Sequence, residues 1–86
     1  MEVNYPVIVD VTLREGIADP EGATIERALP ALGFNGVTHV RAGMSFRMNI
    51  DATDESSALA MASALAERLL SNPVIENATA RSATKG

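Results

Sequence analysis

Apolar and polar positions alternate at the start of the chain. Every odd-numbered position from Val3 to Leu13 is apolar, and most of the even-numbered positions are polar. A period of two predicts a strand with one buried face. Pro6 has no N–H group to donate to a neighbouring strand, so we expect this strand to begin at an edge or unpaired.

The pattern then changes to a helical period. Asp19 is expected to cap a helix whose first residue is Pro20, because a carboxylate accepts hydrogen bonds from the free amides of a first turn and proline fits that position. Gly33 is expected to end the helix in a left-handed conformation. Pro30 interrupts the helix on its outer side, where we expect a kink or an irregular last turn. The predicted buried stripe consists of Ile25, Ala28, Leu29 and Leu32.

A second helix and further strands complete the chain. Residues 37–42 and 44–51 are predicted strands joined tightly around Gly43, and residues 74–78 are a last short strand. The second helix begins near Asp54 and ends at Asn72-Pro73, because the residue before a proline is pushed out of the helical region. Its predicted inner face consists of Leu59, Ala62, Leu65, Ala66 and Leu69.

The element order β-α-β-β-α-β predicts an α+β fold of the ferredoxin-like kind. Two amphipathic helices are expected to cover one face of an antiparallel sheet, which gives a two-layer sandwich. We expect one domain over residues 1–80 and a flexible tail over residues 81–86.

Composition narrows the possible functions. The net charge is −4 and the basic residues are scattered, which argues against a nucleic-acid partner. There are no cysteines, so disulfides and thiolate metal sites are excluded. No apolar run is long enough for a membrane span and the N-terminus does not resemble a signal peptide, so we expect a cytoplasmic protein without a membrane partner.

The sequence offers no convergent set of catalytic groups. His39 is the only histidine, and on the predicted strand it shares a face with Arg41. A surface or interface histidine is therefore favoured over a catalytic base. We expect no catalytic, cofactor-binding or metal-binding residue in this chain.

The sheet face opposite the helices is a candidate interface. This chain leaves that face uncovered, and it mixes apolar and charged residues, which favours association over simple solvation. Its predicted members are Ile8, Asp10, Thr12, Val37, His39, Arg41 and Arg47.

Five short motifs, in order, resemble the PurS family, the small subunit of phosphoribosylformylglycinamidine synthase. They are the strand that ends at Leu13; the helix start Asp19, Pro20 and Gly22; the helix exit Ala28, Leu29 and Gly33; the segment Val40, Arg41 and Gly43; and the closing run Asn72, Pro73, Val74, Ile75 and Glu76. Two residues depart from the family pattern: Met44 replaces a frequent lysine, and Pro30 lies inside the first helix.

The resemblance implies a complex of three proteins. In it, a glutaminase subunit releases ammonia and a large synthetase subunit uses ATP and Mg²⁺ to amidate formylglycinamide ribonucleotide in purine biosynthesis. The PurS-like chain would be a homodimeric or homotetrameric bridge without cofactors of its own, needed for assembly, with ammonia transfer as a further implied role.

Two other functions stay open at this point. One is a regulatory βαββαβ domain that binds a small effector near residues 14–22. The other is an autonomous enzyme, which the residues support least.

Overall fold

The computed structural model describes residues 2–83, which form a three-stranded antiparallel sheet with its helices. The strands are β1 (Val3–Leu13), β2 (Gly43–Ala52) and β3 (Glu76–Ser82), in the order β2-β1-β3. Val9, in the middle of β1, lies opposite Phe46 on one side and Ala80 on the other. Among the described residues, β1 pairs with β3 from Val7 onward, and the Pro6 carbonyl accepts a hydrogen bond from the Ala83 amide at 2.9 Å. On the other side, residues 3–6 pair with β2, so the start of β1 is not unpaired.

Both predicted helices form. The helix α1 (Pro20–Ala28) is followed by a 3₁₀ turn over Pro30–Leu32, and α2 (Glu55–Leu65) continues as a π-helix over Ala66–Leu70. Gly33 ends the 3₁₀ turn at φ 92°, which is the predicted left-handed conformation. Pro30 opens this turn, since α1 has already ended at Ala28 and the ring cannot continue its hydrogen-bond ladder. The expected irregular last turn is confirmed.

The core lies between α2 and one face of the sheet. Val7, Val9 and Val11 are fully buried there, and the helix meets them with small side chains. The helical residues in this contact are Ala58, Ala62 and Ala66. The prediction of a leucine-rich inner face was therefore wrong for Leu65 and Leu69, which are exposed, the latter by 73%. Alanines let the helix axis approach the sheet closely, and the leucines are displaced to its flanks and its end.

The α+β class and the antiparallel sheet are confirmed, and the described elements follow the order β-α-β-β-α-β except for its second strand. The predicted second strand over residues 37–42 was wrong, because that segment is irregular and pairs with no strand of the described chain. The position of α1 also differs from the expectation. Helix α2 packs against all three strands, whereas α1 lies mainly against its own 3₁₀ turn.

Residues 20–42, comprising α1 and its return segment, are called the arm below. The described chain measures 55 × 31 × 14 Å, and its radius of gyration is 16.3 Å. A compact chain of this length has a radius of gyration of about 12 Å. The chain is therefore elongated.

The C-terminal boundary is later than predicted. Strand β3 includes Arg81 and Ser82, which pair with Ile8 and Val7 of β1. The remainder of the predicted tail, residues 84–86, lies outside the described residues. Among the described residues, no helix is long and apolar enough to cross a membrane.

Candidate functional site

Asp19 joins the start of α1 to the end of the arm. Its Oδ1 accepts a hydrogen bond from the Gly22 amide at 2.9 Å, and its Oδ2 accepts one from the Ala42 amide at 2.7 Å. These two amides, with a smaller contribution from the Arg41 charge, lower the pKa of Asp19. The carboxylate therefore stays ionised and holds two distant segments together.

Arg41 and Glu26 strengthen this connection. Arg41 Nη2 donates to the carbonyls of Ile17 at 3.1 Å and Arg14 at 3.4 Å, and Arg41 Nε lies 3.9 Å from Asp19 Oδ2. Glu26 Oε1 accepts from the Val40 amide at 3.0 Å. We call Asp19, Glu26 and Arg41 with these partners the bracket. The bracket fixes the direction in which the arm leaves the sheet.

Two motif glycines are required by close approach of the backbone. A Cβ on Gly22 would collide with the Val40 carbonyl oxygen and lie 2.6 Å from Asp19 Oδ2. A Cβ on Gly43 would lie 2.8 Å from the Val11 carbonyl oxygen. Glycine at position 22 therefore lets α1 lie close to the return segment of the arm, and glycine at position 43 lets the start of β2 lie close to β1.

The motif over residues 72–76 forms a turn that is held by hydrogen bonds between its own residues. The Asn72 amide donates to Glu76 Oε1 at 2.7 Å, and Asn72 Oδ1 accepts from the Val74 amide at 3.1 Å. Arg14 anchors the turn from outside, since its guanidinium donates to the Pro73 carbonyl at 2.7 and 3.0 Å. The carboxylate of Glu76 thus has a partner within the turn, and Val74 lies at the tip with 80% exposure.

Only part of the predicted sheet-face interface comes together. Ile8, Asp10, Thr12 and Arg47 share the face opposite α2. Ile8 is only 5% exposed, and its two cross-strand partners are Arg47 and Arg81.

Asp10 on this face is paired within the chain. Its Oδ2 accepts from Arg81 Nε at 3.0 Å. This hydrogen bond, with help from Ser45 and the charges of Arg81 and Arg47, lowers the pKa of Asp10. The face is thus more polar and better paired than predicted.

Val37, His39 and Arg41, the other predicted members, lie in the arm because their segment is not a strand. His39 has φ 58°, a conformation that favours glycine. With Thr12, Glu15, Gly16 and Arg41 among its neighbours, it lines an open cavity of about 600 Å³. Within the described residues, no group of acidic or histidine side chains could hold a metal ion.

The structure exposes two apolar surfaces, of which the sequence pattern assigned one to the core and did not indicate the other. The arm stripe consists of Ile25, Leu29, Leu32, Phe34 and Val37, most of which are exposed. The β2-side surface consists of Met44, Phe46, Met48, Met61 and Leu65, of which Phe46 and Met48 are half-buried. The helical spacing of Ile25, Leu29 and Leu32 had identified the first surface, but as part of the chain's own core.

The comparisons with known proteins agree with one another. The sequence model of PurS, described as phosphoribosylformylglycinamidine (FGAM) synthase, matches residues 6–84. The PurS subunit from Mycobacterium leprae is 47% identical over 72 residues, which are 84% of this chain and 87% of that protein. The PurS subunit from Synechocystis is 36% identical over 77 residues, covering 90% of this chain and 77% of the relative.

Solved structures show the same fold. The PurS subunit from Thermotoga maritima superposes with a TM-score of 0.86 at 30% identity, covering 95% of this chain and 94% of that one. A chain in the structure of PurLQS from Thermotoga maritima gives 0.84 at 31% identity, covering 93% and 98%. The resemblance found in the sequence is confirmed. The chain belongs to the PurS family, and PurS is a subunit of FGAM synthase, a ligase complex.

Proposed function

We propose that this chain is the non-catalytic bridging subunit of an FGAM synthase complex. It holds a large synthetase subunit and a glutaminase subunit together for the ATP- and glutamine-dependent amidation of formylglycinamide ribonucleotide in purine biosynthesis. ATP and Mg²⁺ are used by the large subunit, and this chain holds no cofactor. The site of action is the cytoplasm.

The observation that supports this role most is the amount of uncovered surface on a chain of the PurS family. The chain has 6171 Å² of accessible surface, whereas a compact protein of 9.0 kDa has about 4,900 Å². Exposed apolar patches rimmed by polar residues mark interaction sites. A relative has been solved as PurLQS, which supports assembly with two different proteins.

Two kinds of contact are needed for this role. The chain associates with itself as a homodimer or homotetramer, and a different surface contacts the two partners. The turn over residues 72–76 suits the second contact, because its internal hydrogen bonds fix the backbone that presents Val74. A pre-ordered apolar tip loses little conformational entropy on binding. Ammonia transfer between the partners is a further part of this proposal.

Reconstitution tests the proposal. The large and glutaminase subunits are mixed with and without this chain, and the species are weighed by size exclusion with light scattering while glutamine-dependent amidation is assayed. We expect one complex containing all three proteins and amidation only when this chain is present. Equal amidation with and without the chain would refute the bridging role.

A second candidate is the regulatory effector domain, which is favoured by the cavity of about 600 Å³ beside His39. Glu15 and Gly16 line this cavity and lie in the segment predicted to bind an effector. A ligand that binds only the native state raises the melting temperature. A thermal-shift screen of amino acids and nucleotides on the isolated chain tests this function, and a flat screen counts against it.

A further inference from the structure

The arm tip, defined as residues 35–39, is held at its two ends. Just before it, the Phe34 amide donates to the Leu29 carbonyl at 3.0 Å. Just after it, the Val40 amide donates to Glu26 Oε1 at 3.0 Å. Between these anchors, no backbone group of the arm tip forms a hydrogen bond with any described residue. An exposed segment without such bonds opens locally at little cost in free energy, so its backbone samples many conformations.

Asn35 and Gly36 begin the arm tip and form a chemically reactive pair that is exposed to water. The side-chain amide of an asparagine can be attacked at Cγ by the main-chain nitrogen of the next residue, and a side chain on that residue hinders the attack. Gly36 has no side chain, and a Cβ added there would meet no atom within 4 Å beyond its neighbours in the chain. The Gly36 nitrogen is also free to react, because its proton is donated to no acceptor among residues 2–83.

The chain has four other asparagines, and each of them is protected. Three lie in strands, where pairing with the neighbouring strand holds the main chain extended and keeps it from closing into a ring. The fourth precedes Pro73, whose nitrogen has no proton to lose. The three in strands are Asn4, Asn49 and Asn77, and the one before the proline is Asn72. Asn35 therefore differs from all of them in its surroundings as well as in the glycine that follows it.

We propose that Asn35–Gly36 is a site of spontaneous deamidation, at which the folded chain converts asparagine into isoaspartate and aspartate with water as the only co-reactant. The Gly36 nitrogen loses its proton and bonds to Asn35 Cγ, the Cγ–Nδ2 bond breaks, and the amide nitrogen leaves as ammonia. Water then opens the succinimide ring, at Cγ to give aspartate or at the main-chain carbonyl carbon to give isoaspartate. Each conversion consumes one water and releases one ammonia, and no group is oxidised or reduced. The site does not depend on the bridging function.

The reaction places a negative charge at the arm tip. Asn35 lies beside Phe34, which is 58% exposed, and two residues before Val37, which is 46% exposed. The new carboxylate adds to a net charge of −4, so the modified chain should be retained longer on an anion-exchange column. In isoaspartate the main chain also gains a methylene group between Phe34 and Gly36. The chain therefore has a second covalent form, which differs in charge and in the path of the arm tip.

Peptide mapping of the intact chain tests the proposal. The folded chain is incubated in water enriched in heavy oxygen, at neutral and at mildly alkaline pH, and is then digested under acidic conditions that stop the reaction. Mass spectrometry should find heavy oxygen at position 35, in separate isoaspartate and aspartate forms. Both forms should increase at the higher pH, because the attacking nitrogen must lose its proton. The conversion should be at least about tenfold greater at position 35 than at Asn49 or Asn77, whose strands must first open.

Two substitutions at the exposed arm tip complete the test. Asn35→Gln keeps the amide but lengthens the side chain by one methylene group, which disfavours ring closure, so both products and the more acidic form should be lost. Gly36→Ala keeps Asn35 and adds the Cβ that hinders the attack, so it should slow the conversion several-fold. Equal conversion at Asn35, Asn49 and Asn77, or an unmodified Asn35 in the parent chain, would overturn the proposal. Conversion of the Gly36→Ala chain at the parent rate would overturn it as well.

Discussion

Gly22→Ala reverses the usual effect of this substitution in a helix. In an ordinary helix interior, alanine is more stable than glycine by about 1 kcal/mol. Here the added Cβ would collide with the Val40 carbonyl and lie 2.6 Å from Asp19 Oδ2. The carbonyl cannot move away easily, because the amide of Val40 is bonded to Glu26 at 3.0 Å. Overpacking of this kind costs about 1–3 kcal/mol, and the middle of that range exceeds the propensity gain of alanine by about 1 kcal/mol, which is the net destabilisation we expect.

Thermal and urea unfolding at fixed chain concentration measure the effect. For a domain of this size, the expected loss corresponds to a melting temperature lower by roughly 4–8 °C. Ala23→Gly is the matched control in the same turn, and it should follow the ordinary propensity and destabilise by up to about 1 kcal/mol. A variant as stable as the parent chain, or more stable, would refute the close approach of Gly22 to Val40.

Three other substitutions test the core, the strained histidine and the bracket carboxylate. Ala62→Leu should destabilise the chain by about 1–3 kcal/mol in urea unfolding, because Ala62 is fully buried between α2 and the sheet. His39→Gly should raise the melting temperature through a gain of about 0.5–1 kcal/mol, since a left-handed non-glycine residue costs about 1–2 kcal/mol, and amidation by the reconstituted complex should be retained. Asp19→Asn should destabilise the chain most at neutral pH. Because the pKa of Asp19 is lowered in the folded chain, the unfolded chain binds this proton at a higher pH than the folded chain does. As the pH falls below the ordinary value of 3.8, the parent chain therefore loses the stability that the carboxylate contributes. The difference in unfolding free energy between parent and variant should shrink in that range. A difference that does not change between about pH 7 and about pH 3 would contradict the role of the carboxylate.

Local features of the fold could be predicted well from the sequence. The alternation from Val3 to Leu13 identified β1, and Asp19 caps α1 through the Gly22 amide as expected. The second helix begins beside Asp54 as expected, and the structure shows that the Asp54 side chain is its cap. These predictions depend only on neighbouring residues and on the period of the pattern.

Predictions that needed a tertiary partner were less successful. The segment over residues 37–42 has the composition of a strand, but its amides at Val40 and Ala42 are bonded to the side chains of Glu26 and Asp19 instead of to a strand. Sequence periodicity cannot show that two carboxylates compete for these donors.

The same limit applies to burial. The spacing of Ile25, Leu29 and Leu32 correctly indicated an apolar stripe, but a pattern cannot say which chain buries it. For the inner face of α2, the prediction gave more weight to leucines than to alanines. In the structure the alanines form the contact, because their small side chains allow the helix to lie close to the sheet.

The central claim, a bridge that does no chemistry, is tested most directly by replacing glutamine with ammonia. Free ammonia replaces the ammonia that the glutaminase subunit would release, so the large subunit no longer needs to be connected to the glutaminase subunit. We predict that the chain is required for glutamine-dependent amidation and has no effect on ammonia-dependent amidation at saturating ammonia. If the large subunit with ammonia also needed this chain in order to turn over, the chain would take part in the synthetase reaction itself, and a purely bridging role would be contradicted.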